Sequence, residues 1–187
     1  MTKEEEILLI SKIKSGETHL YKELVESHSA NVFNLIRGVV SGREDAEEIA
    51  QDVFVKAFFS LKNFRGDCSF STWLYRIAYN MSISKIRRKK RDFIPIDVNR
   101  TLDISDDTFL TEKKSELEEM FIMIQNALEQ LDSKDKFLIV SFYMHEKSIK
   151  DLMEITGLSE SNVKVRLHRS KKRLSQLIND NRELSYG

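Results

Sequence analysis

An all-α fold is what this sequence predicts: two small helical domains joined by a flexible acidic linker, the C-terminal one a helix-turn-helix of winged-helix-like type without a wing. Three observations carry that expectation. Apolar residues recur at helical spacing from Glu4 onward, and no stretch alternates apolar with polar as a half-buried strand would. The single proline, Pro95, falls in a polar segment, Asp92 to Thr111, that also holds Asp103, Asp106 and Asp107. Ser148 to Leu177 reads as two helices about a turn at Gly157. The expected boundaries are 1–92 for the first domain, 93–113 for the linker and 114–187 for the second domain.

A short helix is expected from Glu4 to Ser15, stopped by Gly16, and a longer one from about Leu20 to Val40, stopped near Gly42. Ser41 and Glu44 then have capping-box spacing, in which hydroxyl and carboxylate satisfy free backbone N–H groups at a helix start. The helix that follows holds Ala46, Ile49, Ala50, Val53, Phe54, Ala57, Phe58 and Leu61 on one stripe, which must be buried. Phe64 to Phe70 breaks the period as a loop, and Ser71 opens a helix to about Lys90. Beyond the linker, helices are expected from Glu112 to Gln130 and from Ser133 to Met144. Ser148 and Asp151 form a second capping box, Leu152 and Ile155 an apolar face, and Ser159 caps a last helix with Val163, Leu167 and Leu174 inward.

Composition bounds the function. An apolar fraction of 41% over 187 residues supports real cores and excludes disorder throughout. The longest apolar run, Phe137 to Met144, is too short to span a bilayer, and the charged start, Lys3 to Glu6, is unlike a signal peptide, so no membrane insertion and a cytoplasmic location are expected. With Cys68 as the only cysteine there is no internal disulfide and no cysteine-based zinc spacing. His19, His28, His145 and His168 are scattered, and no glycine-rich phosphate loop exists, so no catalytic residue, metal or cofactor is expected.

The balanced total charge hides segregation. Residues 61–100 carry ten basic against three acidic groups, residues 101–132 two against nine, and residues 133–187 eleven against seven. Two basic blocks divided by an acidic one imply separate surfaces, with the acidic segment expected to shield the basic ones in the free protein.

Three constellations follow. On the last helix, Ser159, Ser161, Asn162, Lys164, Arg166, Arg169 and Lys172 can bond base edges and phosphates in a major groove; the competing reading is a solvated basic face. In the middle of the chain, Phe64, Arg65, Phe70, Trp73, Arg76 and Asn80 lead into Lys85 and then into Arg87 and Arg88, which open the run of five basic residues Arg87 to Arg91. Bases stack on aromatic rings for about 1–3 kcal/mol each while basic groups hold the backbone, which suits single-stranded DNA; Trp73 and Ile77 equally suit a core. On the clean helix, Glu44, Asp45, Glu47, Glu48, Gln51 and Asp52 make an acidic face that cannot lie on DNA. It meets either water or a protein, with Phe54 and Phe58 as possible anchors at its margin.

Asp45-Ala46-Glu47-Glu48-Ile49-Ala50-Gln51-Asp52-Val53-Phe54, Phe70-Ser-Thr-Trp73-Leu74-Tyr75-Arg76-Ile77-Ala78-Tyr-Asn80 and Val163-Lys164-Val165-Arg166-Leu167-His168-Arg169 together resemble bacterial RNA polymerase sigma factors, specifically the extracytoplasmic-function (ECF) group of the sigma-70 family. The resemblance covers nearly the whole chain except the linker. It implies that Asp45, Glu48, Gln51, Asp52, Phe54 and Phe58 dock core polymerase on its largest catalytic subunit, that the Phe64 to Phe70 loop with Asn80 opens the promoter -10 element, and that the helix from Ser159 reads the -35 element. It also implies an anti-sigma factor as a partner, and a linker running toward the polymerase active-site cleft. Asp132, Lys147 and Leu152-Met153 depart from the family pattern: Asp132 replaces a frequent proline, Lys147 a small turn residue, and Met153 puts bulk where two helices approach.

A magnitude favours a polymerase partner. Unstacking DNA costs about 1.4 kcal/mol per step, so opening roughly ten steps needs on the order of 14 kcal/mol, more than two or three captured bases return. The other reading, a stand-alone helix-turn-helix regulator, would need an effector pocket or dimer helix where this chain has an acidic helix followed by an aromatic and basic segment.

Overall fold

The computed structural model describes residues 2–92 and 116–186, so the expected linker of 93–113, with its proposed shielding role, lies outside the described residues. The eight helices named here are α1 (Lys3–Ser15), α2 (Tyr21–Arg37), α3 (Arg43–Ser60), α4 (Phe70–Asp92), α5 (Glu116–Glu129), α6 (Ser133–Ile139), α7 (Ile149–Thr156) and α8 (Glu160–Tyr186). Among the described residues there is no strand, and no helix is long and apolar enough to cross a membrane.

The caps explain most boundaries. Thr2 and Glu5 form a reciprocal capping box at the start of α1, and Ser148 and Asp151 do the same for α7. Gly157 ends α7 in the left-handed conformation, φ +72°, which gives the tight turn into α8. Two expected caps shift by one or two residues. Gly42, not Ser41, starts α3, and no side chain caps it; the Ser41 hydroxyl instead donates to Glu129 Oε2 at 2.8 Å, across the molecule. Ser69, not Ser71, caps α4, its Oγ accepting from the Thr72 N–H at 3.1 Å.

Helices α1 to α4 pack as one group, with α2 and α4 both against α3. The stripe read on α3 is buried as expected: Ala46, Ile49, Ala50, Val53, Phe54 and Ala57 all face inward. Helices α5 to α8 form the second group, α6 and α7 both packing on α8. The expected helix from Ser133 to Met144 changes pitch part-way, because Val140–Met144 forms a π-helical turn. Met153 is half-buried against the core, so its bulk is accommodated beside Leu152 and Ile155.

The two groups are not separate in the structure. Buried side chains of both, from Leu24 and Leu74 to Phe137, Leu152 and Val163, belong to one continuous apolar cluster. Gly38, φ −69° at the end of α2, meets the second group so closely that a Cβ there would lie 2.9 Å from Val140 Cγ1.

Candidate nucleic-acid and protein interfaces

On α3 the acidic residues divide. Glu48, Gln51 and Asp52 are exposed, but Asp45 is largely covered, its side chain 16% exposed where it meets Lys85 and Lys89 of α4. Lys85 Nζ lies 2.7 Å from Glu48 Oε2 and 3.6 Å from Asp45 Oδ1; Lys89 pairs with Asp45 as well. The hydrogen bond that Lys85 donates to Glu48 is the main reason its ammonium holds its proton above the usual lysine range. The acidic face is thus partly answered inside the chain, by groups that the sequence assigned to DNA.

Phe54 is not a marginal anchor. It lies on the inward stripe, 8% exposed, and its carbonyl accepts the Tyr21 hydroxyl at 2.8 Å. Phe58 is half-buried, edge-on to Tyr21 with ring centroids 5.0 Å apart. The exposed apolar side chains of α3 are Val55 and Phe59, the latter 76% exposed. With Glu48 and Asp52 they fall at spacings of four, three and four residues, one solvent-facing stripe. Two bulky apolar residues outside the inward stripe were the available signal for this surface.

At the two ends of the loop before α4, Phe64 and Phe70, the latter the first residue of the helix, are 6% and 1% exposed. Their rings join Trp73 in a cluster, Phe70 and Trp73 stacked at 5.7 Å, Phe64 tilted against Trp73 at 5.4 Å. His28 closes it at 5.4 Å from Phe70, held by Glu6 at 2.7 Å. Phe64 and Phe70 therefore serve as core here and not as accessible stacking faces. Burying such rings against one another is the larger return for side chains of that size. Trp73 is half-buried, as both readings of it allowed, while Arg65, Arg76, Asn80, Arg87 and Arg88 are exposed and Lys85 is half-buried in its ion pairs. Trp73, Arg76, Asn80 and Arg87 fall on one face of α4 at spacings of three, four and seven residues.

Ser159 just before α8, and Ser161, Asn162, Lys164, Arg169 and Lys172 on it, are exposed. Lys164 bonds Glu160 one turn back at 2.5 Å. Arg166 is the exception, half-buried with Nη1 3.0 Å from Asp135 Oδ1. Burial pushes the Asp135 carboxyl above its usual range despite the opposing pull of Arg166. No group of three or more metal-ligating side chains is assembled among the described residues.

These surfaces coincide with known segments. The description Sigma-70 region 2 matches residues 24–92, and Sigma-70, region 4 matches residues 121–174. The chain is 30% identical over 178 residues to the ECF RNA polymerase sigma factor SigW of Bacillus subtilis (strain 168), covering 91% of this chain and 95% of that protein. The chain belongs to the ECF sigma factors. RNA polymerase sigma factor YlaC of the same organism is 32% identical over 168 residues, covering 87% of this chain and 94% of that protein. Among solved structures, CnrH in complex with the cytosolic domain of CnrY shares the fold with a TM-score of 0.67 at 24% identity, over 92% of this chain and 96% of that one. As a sigma factor, the protein binds core RNA polymerase and directs promoter-specific transcription initiation through -10 and -35 elements.

Proposed function

We propose a division of that work among named residues. Residues 1–92 form the unit that docks polymerase and handles the -10 element, 114–187 the unit that reads the -35 element, and 93–113 their connection. The observation that carries the docking assignment is the solvent-facing stripe Glu48, Asp52, Val55 and Phe59, which joins carboxylates to two exposed apolar side chains. An aromatic anchor ringed by polar groups is the usual composition of a protein-binding hot spot. Gln51 belongs with it by exposure, whereas Asp45 acts mainly through the basic end of α4.

The -10 surface is the face of Trp73, Arg76, Asn80 and Arg87, extended by Arg65 and Arg88. Phe64 and Phe70 support it from beneath, and Lys85 supplies charge once released from Glu48. The -35 surface is Ser159, Ser161, Asn162, Lys164, Arg169 and Lys172, with Arg166 available on leaving Asp135. Helix N-terminal residues reading base edges in the major groove is the general geometry of a helix-turn-helix. The protein acts without catalysis of its own, in the cytoplasm. An anti-sigma factor is a fitting partner, since solved relatives include the sigma factor RpoE in complex with the anti-sigma factor NepR from Bartonella quintana.

The test is transcription in vitro with core polymerase and a promoter library. Phe59→Ala is expected to weaken core binding at least tenfold with unchanged thermal stability, because the ring is exposed in the free chain. Wild-type affinity in that variant removes Phe59 from the docking surface. Reversing Asp45 and Glu48 is the poorer probe, because it also breaks the pairs to Lys85 and Lys89.

A further inference from the structure

Packing fixes the rotation of α8 about its own axis. Val163, Leu167, Ser170 and Leu177, at most 8% exposed, form its inward stripe. At about 100° per residue, the direction opposite that stripe belongs to Ser161, Val165, His168 and Lys172, all exposed, at spacings of four, three and four residues. Val165 stands within that outward row at 45% exposure. It is the one apolar residue among the exposed positions from Glu160 to Arg173.

Single exposed aliphatic residues are common on protein surfaces and need no function. Val165 differs in what surrounds it. Its two chain neighbours carry long cationic side chains, and both are drawn sideways. Lys164 Nζ bonds Glu160 Oε1 at 2.5 Å, and Arg166 Nη1 bonds Asp135 Oδ1 at 3.0 Å. Each neighbour lies about 100° round the axis from Val165, so the valine is left open between two paired flanks. The groups already assigned to this surface are all polar or charged.

In the major groove the base pairs differ in donors and acceptors, and thymine alone adds an apolar group, its C5-methyl. A valine side chain neither donates nor accepts. Set against a guanine or cytosine edge, it would strip water from N7, O6 or N4 without replacing the lost hydrogen bonds, which is unfavourable. Set against the C5-methyl, it buries apolar area on both partners. Its branched side chain has one strongly preferred rotamer in a helix, so little freedom is lost on contact. Its place along α8 fits as well: it is the sixth residue of the helix, about 8 Å from the start at about 1.5 Å per residue. That is within the N-terminal turns that reach base edges in a helix-turn-helix. A protein partner is a poorer occupant, because a lone aliphatic side chain among Lys164, Arg169 and Lys172 lacks the aromatic anchor that Phe59 gives α3.

We propose that Val165 is a specificity-determining residue of the -35 surface and reads the C5-methyl group of one thymine. The proposal rests on the assignment of α8 to the -35 element given above.

The experiment uses wild-type and variant chains assembled with core polymerase, on a promoter selected from the library by the wild-type holoenzyme. Each thymine of its -35 element, on either strand, is replaced in turn by uracil, which removes the methyl group and leaves every pairing group in place. Wild-type holoenzyme should bind about fourfold more weakly at one such position, the worth of a buried methyl group. Val165→Ala, which suits an exposed helical position at least as well as valine, should bind the thymine and uracil forms alike. Val165→Thr, which keeps one methyl group, should retain the preference. Cytosine at that position should bind worse still, and 5-methylcytosine should recover about fourfold with the wild type but not with Val165→Ala. A -35 element without thymine, the absence of any uracil-sensitive position, or a sensitivity that survives in Val165→Ala overturns the proposal. Lys172→Ala separates that failure from failure of the surface itself. If this variant lowers affinity and flattens the salt slope while uracil has no effect, α8 reads the -35 element through its other groups and only the Val165 assignment falls. If affinity and slope are unchanged and uracil has no effect, the surface falls with it.

Discussion

Along its N-terminal half α4 meets α7 and the segment just before it through the buried Thr72 hydroxyl, the half-buried Ser71, the buried Tyr75 and the half-buried Lys147. At its C-terminal end it faces α3 through Lys85 and Lys89 paired with Asp45 and Glu48, in more exposed positions. The first set is sheltered from salt and costly to leave unpaired. The second is screened, and exposed pairs of this kind contribute only about 0.2–1 kcal/mol. One helix thus carries a firm contact at one end and, at the other, a soft one that can be exchanged for phosphates at little cost.

The largest expected effect lies under the firm half. Phe70→Ala removes a fully buried ring stacked on Trp73 and should cost about 3–5 kcal/mol in denaturant unfolding. A loss below about 1 kcal/mol would mean that this end of α4 is no better anchored than the other.

Acid is expected to act on the same half at an intermediate level. Burial, and then the nearby Lys147, hold the His145 imidazole below its ordinary 6.5. The group facing it from α4 is the Tyr75 hydroxyl, itself pushed up to about 12 by burial. The closed form therefore disfavours the His145 proton, and its advantage declines as pH falls below 6.5. Asp151 adds a second, lower window: burial raises its carboxyl, but hydrogen bonds from Ser148 and Thr72 outweigh that and leave it below 3.8. Its contribution is present above that value and lost as pH falls through the depressed one. Lys85 runs the other way, since its raised value makes the α3 contact weaken only as pH climbs above 10.5. Scattering across pH should show expansion on the acid side that His145→Gln shifts; a radius constant from pH 7 down to pH 3 contradicts the assignment.

The smallest effect belongs to the soft half. Lys89→Ala should change stability by less than about 1 kcal/mol, and the difference should shrink in high salt. A larger, salt-independent loss would erase the contrast between the two ends.

How much of this was legible in the sequence depends on the range of the interaction. The α3 stripe and the α7 capping box are local patterns, and both appear where periodicity and spacing put them. The α3 start was misplaced because Ser41 found a longer-range partner in Glu129, which no local rule contains. Phe64 and Phe70 looked like stacking rings because a run of aromatics beside basic residues has the composition of a single-strand site; only the fold shows that those two face each other, with His28 against Phe70. The pairing of Thr72 with Asp151 spans 79 residues. Such complementarity leaves no periodic trace. Lys147 was visible as an oddity in a turn, and its partners were not.

Cys68 turns this geometry into a rate. It is the single cysteine, half-buried in the loop before α4, and its thiol is held above 9.0 by burial and then by the carboxylates of Glu154, Asp151 and Asp67, two of them on α7. Because only the thiolate reacts, a disulfide reagent at neutral pH should modify the closed chain slowly. Parting of α4 from α7 removes both the cover and the two α7 carboxylates, so thiol modification would time each opening of the unlabelled wild-type protein.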